Sequence, residues 1–344
     1  MIKKSKGEMR ELVDKANEAL KSSVVSLGVD PLDSDVEFWI PTGWSLLDRA
    51  IGGGFPVGRT VELYGKESSG KSTLSVHAMV NCQKMGGHVV LYDPEATFNK
   101  ALASHLGVDL SKLIVINQKV PLEDIFNCFV KMLEAVRETS SEAPILLVWD
   151  TLAATPTKKE IEEQEDGGRM GGQYRAQIVR RGMRSITQIV SEMNACLLVL
   201  NHVYDSMGMG GMVITETPGG RGVKFHSSVR VHLKTMGWIR DKEDSDPMGV
   251  KILARIEKNK LASPRKEVET RIIFGQGFDN LYSLFSYAVE HGIVRRSGSW
   301  YISTVGDKEI KFYATNLKKI SDENPEFLPD LEQKVFEHFD RENT

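Results

Sequence analysis

Short, unbroken apolar runs recur through the middle of the chain, separated by segments with helical spacing. Thr60 to Tyr64, His88 to Tyr92, Leu113 to Ile116, Ile145 to Trp149 and Cys196 to Leu200 read as buried strands. Thr73 to Lys84 and Gln173 to Met193 read as helices, as does a segment opened by Pro121 with Ile125, Phe129, Met132, Leu133 and Val136 on one face. Apolar strands alternating with helices predict an α/β fold whose parallel sheet is covered on both faces. Polar residues collect just past the strand ends, at Gly65, Asp93, Glu95, Asp150, Asn201 and His202. Open α/β sheets place their ligands there.

The two ends of the chain follow other patterns. Glu8 to Lys21 predicts a helix with Met9, Leu12, Val13, Ala16, Ala19 and Leu20 near one face. A short strand-like piece, Val24 to Leu27, and a linker, Asp30 to Asp35, follow it. These pieces are too small to hold a core, so they pack on this chain or on a neighbouring subunit. Thr42 is placed to cap a short helix carrying Leu46, Leu47 and Ile51. After residue 222, Val229 to Leu233, Val250 to Ile256 and Val268 to Phe274 alternate like antiparallel strands that extend the sheet. From about 281 a small α/β appendage is expected, with a helix over Leu281 to Glu290 and a strand at Trp300 to Ile302. Ser321 to Thr344 carries eight acids against Lys334 and Arg341 and reads as a solvated helix face or tail. The expected organisation is an N-terminal helix and strand over 1–35, a core over 36–280 and a small C-terminal domain over 281–344.

Composition narrows the class. With 344 residues, 41% hydrophobic and 26% charged, the chain can bury a sizeable core. A net charge of −3 means that any nucleic-acid binding uses a local patch and not bulk charge. Cys82, Cys128 and Cys196 are isolated, odd in number and set among apolar neighbours, as buried thiols in a reducing compartment are. No run reaches membrane-spanning length. A soluble cytoplasmic protein is expected, with no membrane partner.

The strongest chemical signal is Gly65-Lys66-Glu67-Ser68-Ser69-Gly70-Lys71-Ser72, flanked by a strand and a helix that Thr73 begins. This is the phosphate-binding P-loop pattern. Its glycines let backbone N–H groups curl around phosphate oxygens, and the helix N-terminus adds positive potential. Lys71 should reach the β/γ-phosphates and Ser72 should ligate Mg²⁺. Asp150 closes the most apolar strand and fits the second metal-holding acid, with Thr151 beside it; an Asp capping the next turn is the plainer reading.

Other polar positions have two readings each. Glu95 can activate the water that attacks the γ-phosphate, or be a solvated strand-end acid. His202 can touch the γ-phosphate and report its loss, or be a satisfied strand-end histidine. Two glycine-rich segments follow the site strands, about 158–175 and 203–221. The first holds Arg169, Met170, Gly171, Gly172 and Arg175, before Arg180, Arg181 and Arg184. The second holds Met207, Gly208, Gly210, Gly211, Gly219, Gly220 and Arg221. Their glycines and arginines suit a polyanion and their methionines suit bases; flexible surface loops are the alternative. Lys258 and Lys260 share one face of a strand end, as transition-state cations or as two solvated lysines.

These motifs together resemble the RecA family of recombinases in its bacterial and phage form, from about Pro41 to Thr315. The likeness lies in Pro41-Thr42-Gly43 with Ser45-Leu46-Leu47-Asp48, the P-loop with Glu67-Ser68-Ser69, and Asp93 with Glu95. It continues through Asp150, Gly219-Gly220 with Lys224-Phe225, Lys258-Asn259-Lys260, Gly275-Gln276-Gly277 and Gly298-Ser299-Trp300-Tyr301. The resemblance implies that Glu95 activates water and that His202 stands where the family carries a γ-phosphate-sensing glutamine. It implies that the two loops bind DNA, that Lys258 and Lys260 reach the ATP of an adjacent subunit, and that the N-terminal segment docks on a neighbour. Asn99 and Leu102 replace an aspartate and an adenine-stacking tyrosine of the usual pattern, with Phe274 at a second stacking position. Tyr204, Asp205 and Ser206 stand where members usually carry basic residues.

The implied function is an ATP- and Mg²⁺-dependent DNA recombinase. It would form a helical filament on single-stranded DNA, pair it with homologous double-stranded DNA and exchange strands. A ring-forming helicase motor and a nucleotide-gated regulatory DNA-binding protein are the alternatives.

Overall fold

A computed structural model of the chain describes residues 6–30, 35–140, 142–166, 172–207, 213–242, 245–306 and 308–343. The chain divides into two compact units, 1–37 and 38–344. The first carries helix α1 (Lys6–Leu20). Beyond it the chain doubles back: the Arg10 guanidinium donates to both Asp30 oxygens, at 2.6 and 2.8 Å. Among the described residues, the extended piece around Val25 pairs with no strand. The Asn17 amide takes that place, accepting from the Val25 N–H and donating to its carbonyl, each at 2.8 Å.

The second unit opens with β1 (Trp39–Ile40) paired to β2 (Phe55–Pro56), with α2 (Ser45–Ile51) between them. Thr42 does not cap that helix. Trp44 occupies the cap position without a side-chain bond, and Thr42 instead gives its backbone N–H to Asp48 at 2.8 Å. The N-terminal turn of α2 is satisfied from far along the chain, by Asn280, which accepts from both the Ser45 N–H and hydroxyl.

The main sheet is built from β3 (Thr60–Gly65), β4 (His88–Tyr92), β5 (Leu113–Ile116), β6 (Ile145–Trp149) and β7 (Ala195–His202). It is completed by β10 (Val229–Ile239), β11 (Gly249–Asn259), β12 (Glu267–Ile273) and β13 (Gly277–Phe278). The order is β13-β12-β11-β10-β3-β7-β6-β4-β5, so the P-loop strand β3 sits in the middle. The strands from β5 to β10 run parallel. β10 therefore departs from the antiparallel expectation on its β3 side. A crossover through α8 (Arg221–His226) delivers it in the parallel sense, and antiparallel pairing begins only at β11.

Helix α3 (Lys71–Lys84) covers one face of the sheet, packing Leu74, Ala78 and Met79 against Leu63, Leu91, Val148 and Leu200. Helices α5 (Leu122–Thr139) and α7 (Gly172–Glu192) cover the other, over Val90, Leu147, Trp149 and Val199. The two touch at Gly182, where a Cβ would fall 2.1 Å from the Phe126 ring. Short helices α4 (Lys100–His105) and α6 (Lys158–Asp166) lie between these layers in sequence. Cys82 and Cys196 are buried and Cys128 half-buried.

The span expected as a first loop is helical at both ends, through α6 and the start of α7. The second contains a hairpin, β8 (Tyr204–Met207) with β9 (Val213–Glu216). The C-terminal part holds α9 (Asn280–Glu290), a sheet of β14 (Arg295–Ser297), β15 (Trp300–Val305) and β16 (Lys308–Phe312), then α10 (Leu317–Glu323) and α11 (Phe327–Asn343). The acidic end is thus a packed helix. Phe327, Leu331, Val335 and Phe339 recur every four residues and are buried. It is fastened to the core where Arg49 pairs with Asp340, and α9 is fastened where Trp44 Nε1 donates to Ser283 Oγ at 2.7 Å. Among the described residues, no helix is long and apolar enough to cross a membrane.

Candidate nucleotide and DNA site

β3 ends at Gly65, and the loop after it turns into α3 through Gly70 in the left-handed region, at φ 89°. A Cβ at Gly70 would lie 2.5 Å from Ile272 Cδ1, so only glycine fits. Lys71 is buried and folds back over the loop, donating to the carbonyls of Gly65 at 3.0 Å and Lys66 at 2.9 Å. Burial pushes its ammonium below the ordinary lysine value, while Asp150, Glu67 and Glu95 pull it back. The Ser69 hydroxyl is buried with no hydrogen-bond partner.

Three strand ends bring the acids together. Asp150 follows β6 and gives its N–H to the Tyr92 carbonyl at 3.0 Å, which sets it beside Asp93 at the end of β4. Ser72 Oγ donates to Asp150 Oδ2 at 2.7 Å. Burial pushes the Asp150 carboxyl up to about 6, against the Ser72 bond and with the help of Asp93 and Glu95. Thr151 Oγ1 donates to Glu95 Oε1 at 2.8 Å, and His202 Nε2 lies 3.9 Å from the same oxygen. The register of β7 against β3 pairs His202 with Gly65, which puts the imidazole at the loop. Burial, then the Lys71 charge, lower His202 from the ordinary histidine value, while Glu95 and Glu67 pull it back.

The site suits a hydrated divalent cation. Ser72 and Asp150 offer adjacent oxygens, Asp93 Oδ1 is buried and unpartnered, and three carboxylates face one ammonium. Among the described residues no three His, Cys, Asp or Glu side chains form a metal cluster.

Beside Ser72 and Thr73 opens a cavity of about 200 Å³, lined by Val76, Met79, Leu91, Phe98 and Leu102. Leu102 is held there because Asn99 caps α4, accepting the Leu102 N–H at 2.9 Å. Phe274 does not line this cavity; it stands half-exposed at the end of β12.

Lys258 and Lys260 lie away from the loop. Lys258 pairs with Arg230, and Arg230 with Glu62, three residues before Gly65. Strand rise and spacing put Lys258 about 14 Å from Gly65, farther than a lysine extends. Its ammonium donates to the carbonyls of Lys224 at 2.8 Å and Phe225 at 2.9 Å. Burial, with Lys260 and Arg230 nearby, pushes it down to about 8.

The RecA N-terminal domain model matches residues 9–279, and the RecA C-terminal domain model matches 282–340. The chain belongs to the RecA family. It is 34% identical over 322 residues to Protein RecA of Acholeplasma laidlawii, covering 93% of this chain and 92% of that one. It is 35% identical over 299 residues to Protein RecA of Aquifex aeolicus, covering 87% and 83%. To Protein RecA of Streptomyces ambofaciens it is 34% identical over 321 residues, covering 92% and 82%. RecA membership gives the chain a recombinase role on a P-loop nucleotide-binding core, with DNA binding and self-association as general family properties.

Of the residues expected to bind DNA, Arg169, Met170, Gly171, Gly208, Gly210 and Gly211 lie outside the described residues. Gly172 opens α7 and Met207 closes β8. Arg175 is turned inward, donating to the Leu152 carbonyl at 2.5 Å and the Ala153 carbonyl at 2.8 Å, with Glu160 at 3.3 Å. Arg180, Arg181 and Arg184 are exposed on the same helix and line an open cleft with His226. Gly219 and Gly220 turn the chain into α8 against Val179 and Ala176, and Arg221 faces a second cleft with Lys224, Arg230 and Lys234.

Sequence reading missed one network. Glu62 is wholly buried in β3; Arg230 donates to one of its oxygens and Asn201 to the other, at 3.1 Å. Asn201 also donates to the Pro218 carbonyl at 3.0 Å and accepts the His202 N–H at 3.1 Å. The residue beside His202 thus holds the returning limb of the second glycine-rich segment at Pro218. A charged residue in an otherwise apolar buried strand was the available signal.

Proposed function

We propose that the chain is an ATP-dependent DNA recombinase. It assembles as a helical filament on single-stranded DNA, pairs that strand with homologous duplex and exchanges strands, hydrolysing ATP at subunit boundaries. Residues 1–35 dock a neighbour, 36–280 form the ATPase core and 281–344 the small C-terminal domain.

One observation carries this reading. Glu95, held by Thr151 beside His202, stands at a P-loop with one near cation, Lys71, while Lys258 and Lys260 lie at the end of β11, two strands away and out of its reach. A chain with this layout completes its phosphate site only when another copy supplies those lysines.

The roles follow from position. Backbone N–H groups of residues 65–72 cradle the phosphates, and Lys71 leaves its carbonyl partners for the β/γ oxygens. Ser72 and Asp150 hold Mg²⁺, which when bound neutralises phosphate charge. Glu95 accepts the proton of the attacking water, and Thr151 orients that carboxylate. His202 donates to the γ-phosphate and relays its loss through Asn201 to Pro218. Leu102 and Phe274 pack the base. The two glycine-rich segments, with Arg221 and the exposed α7 arginines Arg180, Arg181 and Arg184, hold the DNA.

Electron microscopy with single-stranded DNA and a slowly hydrolysed ATP analogue tests the assembly. Open helical filaments along the DNA are expected. Closed rings would turn the reading to a helicase motor, and absence of any assembly would reject it.

A further inference from the structure

Two histidines on different helices meet in the C-terminal part of the chain. His291 closes α9, its N–H returning to the Tyr287 carbonyl at 3.0 Å. His338 lies on α11, next to the buried Phe339. The two imidazole centroids are 4.8 Å apart, with the planes at 47°.

Tyr287 holds both rings. Its own ring lies against His291, with centroids 4.1 Å apart and planes at 31°, and its hydroxyl meets His338 Nδ1 at 3.1 Å. Packing does not account for the pair. His291 is exposed and His338 half-buried, so the contact between the helices is filled by Phe339 and not by the imidazoles. What two adjoining imidazoles offer is a pair of nitrogen donors.

The geometry suits a metal ion. When His338 Nδ1–H donates to the Tyr287 oxygen, the Nε2 lone pair is left free, and metal-bound histidines are held through their other nitrogen in this way. Zn–N bonds of about 2.0–2.1 Å in a tetrahedral shell put two imidazole centroids about 5 Å apart. The observed separation of 4.8 Å matches that spacing. Burial, then Glu342 and Glu290, push the Tyr287 hydroxyl up to about 12, so it stays protonated and the two glutamates lend the site negative charge.

We propose that His291 and His338 bind a divalent transition metal of the Zn²⁺ class, and that the bound ion clamps α11 to α9. Water completes the coordination shell. The site is independent of the nucleotide and DNA readings above. Mg²⁺ prefers oxygen ligands and does not compete for imidazole. The ion would add a cross-helix fastening to a helix otherwise held by its buried apolar stripe and by the Arg49–Asp340 pair.

Calorimetric titration of ZnCl₂ into the full chain, with MgCl₂ in excess, tests the site. A saturable site is expected in wild type, and His291→Ala and His338→Ala should each weaken it tenfold or more. His291 is exposed, so its alanine variant keeps the fold. No saturable binding, or the same binding in His291→Ala as in wild type, overturns the site. Hydrogen exchange reads the clamp: Zn²⁺ should slow exchange of the α11 amides in wild type and leave them unchanged in His291→Ala. Zn²⁺ that binds but leaves wild-type α11 exchange as it was overturns the clamp.

Discussion

The Thr151 hydroxyl donates to Glu95 Oε1 at 2.8 Å, joining a residue just past β6 to one just past β4. The bond fixes the rotamer of a carboxylate on an exposed turn. It leaves the other oxygen for a water, and His202 faces the shared one.

Two variants separate base from support. Glu95→Gln should slow hydrolysis about 10²–10⁴-fold while nucleotide still binds. Thr151→Val keeps the shape but frees the carboxylate, and should lower kcat about tenfold with KM unchanged. Steady-state ATPase assays with single-stranded DNA decide it; normal turnover in Glu95→Gln would end its role as base.

The proposed action of Lys258 and Lys260 across a subunit boundary predicts complementation. Glu95→Gln alone and the Lys258→Ala, Lys260→Ala double variant alone should both be inactive as ATPases on DNA. A mixture should regain part of the wild-type rate. Sites that combine Glu95 of one variant with the lysines of the other are intact. If mixtures stay as inactive as their components, the lysines do not act across a boundary.

Lys258 gives a signed pH dependence. Its folded-state value is about 8 against an ordinary 10.5, so its charge opposes folding. That penalty is complete below pH 8 and disappears as pH rises to 10.5. Lys258→Met should therefore unfold at higher denaturant than wild type at pH 7, with the gap closing in alkaline buffer. DNA-dependent assembly should move oppositely in the wild type, weakening above pH 8 as the lysine loses the charge that a phosphate needs. A gap that widens with pH would show the wrong sign.

The arginines of α7 divide by what they touch. Arg175→Ala strands the Leu152 and Ala153 carbonyls and should lower stability by about 1–3 kcal/mol, leaving the salt dependence of DNA binding alone. Arg181→Ala and Arg184→Ala should leave stability alone and each reduce the salt slope on single-stranded DNA by about 0.7. Fluorescence anisotropy across a potassium chloride series measures the slope.

Much of this fold is legible in the sequence because its parallel strands are buried on both faces. Ile145 to Trp149 needs no partner information to be recognised, and Gly70-Lys71-Ser72 follows its strand directly. The direction of β10 is not legible, since it depends on a crossover through α8, whose six residues show no helical period. The last helix is hidden for another reason: acids interrupt Phe327, Leu331, Val335 and Phe339 at every turn. The inward turn of Arg175 is set by two carbonyls more than twenty residues earlier, which local pattern does not contain. Asn201 reads as a strand-end polar residue; its partners come from β3 and from the end of the second glycine-rich segment.

Glu62 has a consequence for how this chain can change over time. Its two oxygens accept from Arg230 and from Asn201, both buried with it. Glutamine at 62 would turn a donor toward one donor, and losing Arg230 would leave a buried carboxylate unpaired, at about 3–5 kcal/mol. Aspartate at 201 would add a second negative charge. Each of these single changes carries a cost, so the three positions are expected to change together: descendants in which one differs should carry matched replacements at the other two.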